Sequence, residues 1–458
     1  MSRTLPTATV RIFRGQALIG TCPAVLSGVS RDSRSVRPGE AYIAQAEDPA
    51  HAAQALERGA AIVVDARGDL RSPHPRWSFA RASCAVSELD DRCPPLAAAT
   101  GTKGKSTIAH ILWWLLGAGA ARVGTIGWHD GRNERPNRQT TPPPDELHEF
   151  LASLPEACPG VALEASSHGC DQFRLAGLRL QALAVTGIGH DHLDYHGTVA
   201  AYVAAKLRAV QLLVTGGRLV INADDAHAAA FFHAGRCVGA EVILLSAADV
   251  LRMAPPIALA GAFNAWNAAA ALLLAEALGV PRLLGEQRLR TLPAIPGRLE
   301  RLAEAPITYV DYAHTPESIA AVLGAVRAAH PGAPVAIVFG CGGDRDTTKR
   351  APMGAAAASA DLVVVTTDNS RSEDPRAIAE QVLAGVAART GSSTTTVIEP
   401  DRATAIRLAR ERLGAHGVVV VAGKGHETSQ DIRGVVTAWD DRAFVRSLTS
   451  PLSDPSAP

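Results

Sequence analysis

The residues best suited to chemistry form a glycine-rich turn at 100–107, Thr-Gly-Thr-Lys-Gly-Lys-Ser-Thr. Glycines let backbone N–H groups approach phosphate oxygens, and a following helix N-terminus adds a favourable field. Lys105 can neutralise phosphate charge, and the Ser106 hydroxyl can bind Mg²⁺. The common P-loop has glycine where this chain has Ala99, so the turn predicts a variant nucleotide-binding loop; a structural turn before a capped helix is the plainer alternative. The predicted phosphate contacts are Gly101, Thr102, Lys103, Gly104, Lys105, Ser106 and Thr107.

Acidic and imidazole side chains follow two further predicted strands. Glu164 ends a buried strand, and a carboxylate at the carboxyl edge of a parallel sheet faces the ligand crevice and suits Mg²⁺. The segment 190–196 holds three histidines, including His192, which indicates metal or proton chemistry, although loop clusters of this kind are often only solvated or structural. Lys206 lies inside a helical pattern, where a surface lysine with its ammonium in water is the plainer interpretation.

Four polar loops follow the predicted strands of the last third of the chain. They are 311–314 (DYAH), 340–346 (GCGGDRD), 368–371 (DNSR) and 423–427 (GKGHE). Each has a simple explanation, because Gly, Asp and Asn are common in turns. Four in succession predict a single crevice lined with Arg, Asp, His and Glu, which suits a zwitterion such as an amino acid.

The elements that must position these loops alternate between short apolar runs and longer helical patterns, as is typical of βαβ units. The first series begins near Pro95 and the second near Arg298. In the first series, strands are predicted at 96–100, 160–165, 183–186 and 218–223, and helices at 105–116 and 198–213. In the second, strands are predicted at 307–312, 335–340, 362–367, 395–398 and 418–422, and helices at 316–329, 375–388 and 402–413.

The length of 458 residues predicts roughly three domains at about 150 residues each. We expect an α/β protein with a small N-terminal α/β domain at 1–95, which is the least regular part of the sequence. A central P-loop ATPase-like domain with a parallel sheet follows at 96–296, and a C-terminal Rossmann-like α/β domain at 297–458. The pair Pro296-Gly297 is the expected hinge.

The charge balance and the cysteines exclude several classes of protein. Lys and Arg together number 45, as do Asp and Glu, so net charge gives no reason to expect nucleic acid or an anionic membrane as partner. Seven cysteines without a C-x-x-C spacing make disulfides or a zinc site unexpected. An N-terminal signal and a membrane-length apolar run are not apparent. We therefore expect a cytoplasmic monomer with small-molecule substrates.

Taken together, these segments resemble the Mur ligase family, and most closely its tripeptide-synthetase branch. The likeness covers 100–430, and it is weaker over 1–95. It implies an ATP-dependent acid–amino-acid ligase that acts through an acyl phosphate in peptidoglycan biosynthesis. Such an enzyme adds an amino acid, here expected to be meso-diaminopimelate, to the D-Glu carboxylate of UDP-N-acetylmuramyl-L-Ala-D-Glu. The matching motifs, besides the loops already given, are 164–174 (EASSHGCDQFR), 191–197 (DHLDYHG), 202–206 (YVAAK), 261–267 (GAFNAWN), 296–300 (PGRLE) and 310–316 (VDYAHTP).

The resemblance also implies ATP and two Mg²⁺ ions, and it implies which residues hold them. Ser106 and Glu164 would hold the first ion. The second would be held by Glu164, His192 and Lys206, with Lys206 carrying a CO₂-derived carbamate. The residues implied in catalysis are Lys105, Glu164, His192 and Lys206, and the further ATP contacts are Asn264, Asn267, Arg298 and Asp311.

The resemblance finally implies where the two other substrates bind. Arg371 keeps the planar fork that can hold a distal carboxylate through two hydrogen bonds, which favours diaminopimelate over lysine. The implied uridine contacts are Ser33 and Arg34, and those to the nucleotide-linked peptide are Thr140, Thr141, Ser166, Gln172 and Arg174. Those to the incoming amino acid are Arg345, Asp368, Asn369, Ser370, Arg371, Gly423 and Glu427.

Four departures from the branch leave other functions open, and one of them is that the segment 66–95, in the domain expected to bind the UDP part of the substrate, looks shortened. Ser370 stands where the branch has Pro, Gly187 where the family usually has Asn, and Lys103 where Asn is frequent. One alternative is a diverged ligase that joins an amino acid to another carboxylate in specialised metabolism. A nucleotide-binding scaffold without catalysis is the other, but it would be expected to have lost some of the implied catalytic residues, all of which are present.

Overall fold

The computed structural model describes residues 28–44, 49–65, 70–71, 74–137, 139–189, 191–253, 255–257, 259–389 and 394–449. His190, part of the predicted histidine cluster, lies outside the described residues. The chain divides into two compact units, Met1–Pro255 with Asn267–Leu289, and Pro256–Trp266 with Arg290–Pro458. Each unit is described by itself, and the expected division into three domains at 95 and 296 stays a prediction.

Strands and helices are numbered along the chain. The strands are β1 (Gly28–Ser30), β2 (Glu40–Ile43), β3 (Ile62–Asp65), β4 (Leu70–Arg71), β5 (Leu96–Thr100), β6 (Ala121–Gly124), β7 (Gly127–His129), β8 (Glu134–Arg135), β9 (Val161–Glu164), β10 (Leu180–Val185), β11 (Leu213–Asn222), β12 (Glu241–Leu245), β13 (Glu300–Glu304), β14 (Ile307–Val310), β15 (Val335–Phe339), β16 (Leu362–Val365), β17 (Thr395–Ile398), β18 (Val418–Val421), β19 (Ser429–Ile432) and β20 (Val435–Ala438). The helices are α1 (Pro49–Glu57), α2 (Pro75–Val86), α3 (Leu89–Arg92), α4 (Lys105–Leu116), α5 (Pro144–Ser153), α6 (Ser167–Asp171), α7 (Leu193–His196), α8 (Val199–Val210), α9 (Ala228–Cys237), α10 (Ala247–Met253), α11 (Ala262–Ala277), α12 (Arg282–Arg290), α13 (Pro316–Ala329), α14 (Arg350–Ala357), α15 (Pro375–Ala387), α16 (Arg402–Leu413) and α17 (Asp441–Ser447).

The first unit contains two sheets. The smaller has the order β1-β2-β3-β4, with every strand parallel to its neighbour. The larger has the order β12-β11-β10-β5-β9-β6-β7-β8, and it is parallel from β12 to β6. β5 is buried along its whole length at the centre of this sheet. Because its neighbours run in the same direction, the loops after β5, β6, β9 and β10 meet at one carboxyl edge.

The second unit is built on a six-stranded sheet with the order β13-β14-β18-β15-β16-β17. Only β13 is antiparallel to its neighbour, and β19 with β20 forms a separate hairpin. The four valines of β18 are all buried, as expected for a strand covered on both faces. Helix starts are locally specified: Thr315 forms a capping box with Ser318, and Pro316 occupies the first turn of α13.

The α/β fold expected from the sequence is confirmed, but several predicted boundaries are wrong. β10 begins at Leu180 rather than at 183, and β11 at Leu213 rather than at 218. The reason in β11 is local, because Gly216 and Gly217 favour a turn and hide the first half of a ten-residue strand. Within the described ranges, no helix combines the length and hydrophobicity that a membrane span requires.

His148 on α5 is a buried imidazole in the core of the first unit. Its side chain is fully buried, and among the described residues neither ring nitrogen has a hydrogen-bond partner. Burial lowers the pKa of His148 to about 3, and the nearby charge of Arg81 acts in the same direction. The ring is therefore neutral in the folded protein at neutral pH, whereas an unfolded chain would protonate it near its ordinary pKa of about 6.5.

We expect His148 to weaken the fold in acid. Since the folded pKa lies below the unfolded one, stability is complete above pH about 6.5 and is lost as the pH falls towards about 3. Between pH 7.5 and 5 the loss from this residue is about 2 kcal/mol. Urea unfolding of wild type and His148→Leu over this range measures it, because the variant should decline less steeply. Parallel pH profiles for the two proteins would contradict the expectation.

Candidate active site

The glycine-rich turn follows β5 and leads directly into α4, as the sequence predicts. Gly101 and Gly104 have φ of +136° and +83°, which side chains rarely adopt. A Cβ on Gly101 would overlap the Thr186 hydroxyl, and one on Gly104 would lie 2.6 Å from Asn267 Oδ1. The two glycines are therefore required by both conformation and space, and Asn267 lies beside the turn as expected.

The turn is held by its own hydrogen bonds. Lys105 Nζ donates to the carbonyls of Gly101 and Thr102 at 2.9 and 3.0 Å, so the ammonium is folded over the turn. Thr186 Oγ1 donates to the Lys103 carbonyl at 2.6 Å. Thr186 was not predicted as a site residue, although its position directly after β10 places it at the same sheet edge. The helix N-terminus and the ammonium together provide the positive potential that a phosphate group needs.

Glu164 lies at the end of β9, beside the turn. Its Oε2 accepts a hydrogen bond from Ser106 Oγ at 2.8 Å, and its Oε1 accepts one from Thr125 N at 2.6 Å. The Thr125 hydroxyl also donates to Oε2 at 3.0 Å. Thr125 was not predicted, because β6, which carries it to this edge, was not recognised in the sequence. Ser106 and Glu164 are thus brought together as expected.

The absence of a side chain at Gly124 leaves room for the Glu164 carboxylate, so a methyl group added at this position should disturb it. A Cβ on Gly124 would overlap Glu164 Oε1, so Gly124→Ala should displace the carboxylate. We expect the rate of the ATP-dependent reaction predicted from the sequence to fall by about 10- to 100-fold, as for a catalytic group misplaced by about 1 Å. The matched control is Gly324→Ala in α13, where a Cβ meets no atom within 4 Å. Equal rates for both variants would contradict a role for the Glu164 carboxylate in the reaction.

Lys206 on α8 is buried rather than exposed, so the plainer interpretation of its position is wrong. Its exposed fraction is 1%, and its Nζ donates to the Gly101 carbonyl at 2.7 Å. The same nitrogen lies 4.5 Å from the ring centre of Tyr202. Burial, followed by the charge of Lys105, holds the pKa of Lys206 well below its usual value. The neutral amine is therefore favoured at this position.

His192 belongs to a cluster of rings beside Lys206. Its ring centre lies 4.9 Å from that of His168, which in turn lies 4.2 Å from Tyr195 and 5.5 Å from His196. Burial is the main cause that lowers the pKa of both His168 and His192, so these rings are neutral at pH 7. In the part of the chain that the structure describes, no three His, Cys, Asp or Glu side chains are arranged to hold a metal ion.

The predicted peptide contacts form a second hydrogen-bonded group next to Glu164. Thr141 Oγ1 donates to the Glu164 carbonyl at 2.6 Å and accepts from Ser166 N at 2.9 Å. Arg174 donates to the Thr141 carbonyl at 2.5 Å and, through Nε, to Gln172 Oε1 at 3.0 Å. These residues are brought together as predicted. Thr140 lies close by, since its hydroxyl is 2.9 Å from that of Thr125.

The predicted uridine contacts lie in the part of the first unit that carries the smaller sheet. Ser33 is buried and donates to Gln54 Oε1 at 2.7 Å. Arg34 is exposed and pairs with Asp32, whose pKa it lowers to about 2 through side-chain hydrogen bonds. These bonds are separate from those of the group around Thr141.

The remaining predicted nucleotide contacts lie in the second unit. Asn264 Nδ2 donates to a carbonyl four residues earlier at 2.7 Å. Asp311 Oδ2 accepts from Leu299 N at 2.7 Å, which ties the start of β13 to the end of β14. The Arg298 guanidinium lies 4.7 Å from the ring centre of Tyr312. Arg298 and Asp311 are therefore near one another, as the sequence pattern predicts.

All four polar loops of the second unit meet at the carboxyl edge of its sheet, and the ring of Tyr312 on the loop 311–314 lies 5.2 Å from that of His426 on the loop 423–427. Gly343 N donates to the Asn369 carbonyl at 2.9 Å, and Arg371 Nη1 donates to the Gly343 carbonyl at 2.7 Å. Lys424 Nζ donates to Asn369 Oδ1 at 3.0 Å and to Glu427 Oε2 at 3.1 Å. The loops predicted to line one crevice are thus neighbours, and Arg345 on the loop 340–346 is exposed. Lys424 was not singled out in the sequence.

Two backbone features shape the loops 368–371 and 423–427, which were predicted to contact the incoming amino acid. Arg371 has a φ of +49°, and its N–H donates to the Asp431 carbonyl at 3.2 Å, which fixes the loop although Ser370 replaces Pro. Gly423 has a φ of +105°, and a Cβ there would lie 2.7 Å from Asp368 Oδ2. Glycine is thus required where the backbone approaches the Asp368 carboxylate.

A fully buried ion pair supports the same loops from below. Arg402 on α16 donates through Nε and Nη2 to the two oxygens of Asp441 on α17, both at 2.7 Å. Its Nη2 also donates to the Ala422 carbonyl at 2.9 Å, directly before Gly423. Removing either partner would leave a buried charge unpaired, so this pair anchors the C-terminal helix under the site.

The fold and the turn after β5 define an α/β protein of the P-loop-like class, with a second α/β unit whose polar loops meet at the carboxyl edge of its sheet. Residues 99–254 match the Mur ligase middle domain, and residues 297–425 match the Mur ligase glutamate ligase domain. The chain therefore belongs to the Mur ligase family, as the motifs predict.

Individual relatives agree with this assignment. The chain is 38% identical over 466 residues to a UDP-N-acetylmuramoyl-L-alanyl-D-glutamate--2,6-diaminopimelate ligase of Rhizobium meliloti, covering 92% of this chain and 93% of the relative. A Chlorobaculum tepidum protein of the same name is 36% identical over 471 residues, covering 92% and 91%. A solved structure of that name matches with a TM-score of 0.66 and 30% identity, covering 98% of both chains. A folylpolyglutamate synthase of Mycobacterium tuberculosis complexed with ADP shares the fold at 18% identity, with a TM-score of 0.62 over 77% of this chain and 92% of that one.

Proposed function

We propose that this protein joins meso-diaminopimelate to the D-glutamyl carboxylate of UDP-N-acetylmuramoyl-L-alanyl-D-glutamate, with cleavage of ATP to ADP and phosphate. The observation that carries this proposal is the grouping of Lys105, Ser106, Glu164 and Lys206 at one sheet edge. Such a grouping suits phosphoryl transfer, which depends on positioning and on offsetting negative charge. The names of the curated relatives support the choice of substrates.

We infer that Ser106 and Glu164 hold one magnesium ion, and that Glu164, His192 and the carbamate of Lys206 hold a second. Mg²⁺ prefers hard oxygen ligands and usually keeps several waters. Ser106 Oγ and Glu164 Oε2 lie 2.8 Å apart, which fits a shared ion. An ammonium would be a poor neighbour for a cation, and the buried, neutral form of Lys206 supports its carbamylation. When bound, the ions would offset charge on the transferring phosphoryl group.

The proposed reaction needs two bond exchanges. A carboxylate oxygen of the D-glutamyl group attacks the γ-phosphorus, the bond to the bridging oxygen breaks, and ADP leaves. The neutral amine nitrogen then attacks the carbonyl carbon of the acyl phosphate, the carbon–oxygen bond to phosphate breaks, and the proton that the nitrogen loses passes to the leaving phosphate or to water. Lys105 stabilises the transferring charge, while Thr141, Ser166 and Arg174 would hold the peptide that carries the acid. No side chain of the protein has to act as nucleophile.

The direct test supplies purified protein with ATP, magnesium, bicarbonate, the UDP-linked dipeptide and diaminopimelate. We expect ADP, phosphate and the UDP-linked tripeptide in equal amounts, with mass spectrometry showing the new amide. Omitting the acid or the amine should suppress ADP formation. If this acid gives no product while another carboxylate does, the alternative of a diverged ligase in specialised metabolism replaces the proposal. The serine at 370 instead of Pro is the observation that keeps this alternative in view.

Arg371 is expected to recognise the distal carboxylate of the diamino acid. Among the described residues, the loop carbonyls of Gly343 and Asn369 accept from its Nη1 alone, so Nε and Nη2 can bind a ligand. Arg371→Ala should lower kcat/KM for diaminopimelate by about 10- to 100-fold, the worth of a charged hydrogen bond. The rate with lysine, which lacks this carboxylate, should change little.

The matched control for this variant is Arg376→Ala, which removes an exposed arginine that pairs with Glu380 at the surface. It should leave both rates unchanged. An equal loss with diaminopimelate and lysine in Arg371→Ala would contradict the role assigned to Arg371. Initial rates with each amine at saturating ATP give the comparison.

A further inference from the structure

Lys424 is a fully buried lysine among the loops that are proposed to bind the amino acid. Its Nζ lies 3.0 Å from Asn369 Oδ1, 3.1 Å from Glu427 Oε2 and 3.6 Å from Asp368 Oδ1. A buried ammonium is costly unless it is paired and hydrogen-bonded. These contacts satisfy it, and all three partners are side chains proposed to contact the amino acid.

Lys424 determines how the Asn369 side chain is turned. Asn369 Oδ1 receives both Lys424 Nζ and Asp431 N, each at 3.0 Å, so it must be the amide oxygen. Its Nδ2 is then directed to Glu427 Oε2 at 3.1 Å. Glu427 Oε2 therefore accepts from two donors of the protein. Among the described residues Oε1 has no partner, and this side chain is 31% exposed.

The same contacts fix the charge of the group formed by Asp368, Asn369, Lys424 and Glu427. Two carboxylates and one ammonium leave a single net negative charge. An ammonium group of the ligand is attracted to such a site, whereas a second carboxylate of the ligand is directed to the neighbouring guanidinium of Arg371, which donates to the Asn369 carbonyl at 3.4 Å. The Arg371 guanidinium and the carboxylates of Asp368 and Glu427 thus offer neighbouring positions, one for a carboxylate of the ligand and one for its ammonium group.

We propose that Lys424 is a positioning residue that holds Asn369 and Glu427 so that Glu427 Oε1 is presented to the distal ammonium of the diamino acid. The identity of the amino acid rests on the proposed function. The role of Lys424 goes beyond it, because this lysine acts through Asn369 and Glu427 and does not itself contact the ligand.

The test compares diaminopimelate with 2-aminopimelate, which keeps the distal carboxylate and lacks the distal amine. We expect wild type to prefer diaminopimelate by about 10- to 100-fold in kcat/KM, the worth of one charged hydrogen bond. In Lys424→Met this preference should fall below about threefold, mainly through KM for diaminopimelate, while KM for ATP stays within about twofold. General damage to the fold would instead lower the rates with both acids and raise KM for ATP.

Two further variants complete the experiment. Lys424→Arg keeps the charge and should retain most of the preference, whereas Lys349→Met removes a lysine at the start of α14 and should have no effect. Should Lys424→Met not fold, Lys424→Gln replaces it with the same expected outcome. An unchanged preference in the neutral variant that folds would overturn the proposal.

Failure of the proposed function would be seen separately. If wild type does not use diaminopimelate at all, that function is wrong, and the role of Lys424 is judged from the crystal structure of the neutral variant. Rotation of Asn369 and Glu427 away from their wild-type positions would support the role. Retention of both side chains in place would overturn it.

Discussion

Replacing Lys105 by methionine should lower kcat for ATP cleavage by about 10²- to 10³-fold, the loss typical of removing one preorganised electrostatic group. Lys105 Nζ is held over the turn after β5, the proposed phosphate site, by the carbonyls of Gly101 and Thr102. Methionine replaces the aliphatic part of the lysine side chain and removes the ammonium group with its charge and its hydrogen-bond donors. Since charge accumulates on the phosphoryl oxygens during transfer, the loss should fall mainly on kcat.

Phosphate release at saturating substrates measures this loss, and thermal unfolding checks that the variant folds. The control is Lys349→Met, a lysine outside the proposed sites, for which we expect a rate within about twofold of wild type. If the Lys105 variant turned over at the wild-type rate, the turn after β5 would not be the phosphate site. The proposed function would then lose the observation that carries it.

Replacing Lys206 by arginine should lower kcat on the order of a hundredfold, even though arginine keeps a positive charge and a donor for the Gly101 carbonyl. The reason is that a carbamate requires a neutral amine. The amine nitrogen attacks the carbon of CO₂, the nitrogen–carbon bond forms, and a proton is released. Arginine stays protonated at every working pH and cannot follow this course. If Lys206 served only as a cation over the turn, the arginine variant would remain active.

Bicarbonate gives an independent measure of the same group. Wild-type protein in buffer stripped of CO₂ should lose activity and regain it when bicarbonate is added. Lys206→Arg should show no such response, and Lys206→Met should behave in the same way. Carbon-13 NMR with labelled bicarbonate should reveal the carbamate in wild type alone. A wild-type rate that is independent of CO₂ would exclude the carbamate, while leaving the phosphate site untouched.

Much of the fold could be predicted because its specification is local. The helices Lys105–Leu116, Pro316–Ala329 and Arg402–Leu413 begin and end where the periodicity predicts, and so does the strand Leu96–Thr100. The elements that were missed have misleading local patterns. β13 reads Glu-Arg-Leu-Ala-Glu and looks like a polar turn, yet it pairs with β14 as an antiparallel edge strand. Such strands are decided by their partners and not by their own residues.

In the candidate site, too, some features could be predicted from the sequence and others could not. The sequence by itself determined the glycine-rich turn after β5, the Mur ligase motifs and the polar loops after the strands, because the spacing of glycine, lysine and carboxylate residues is local. Only the tertiary structure decided that Thr125 and Gly124 fix Glu164, that Lys206 is buried, and that Lys424 orients Asn369 and Glu427. These contacts join residues 39, 105 and 55 positions apart in the chain. No local pattern encodes them, since burial and pairing at such separations depend on how parallel strands bring their carboxyl ends together.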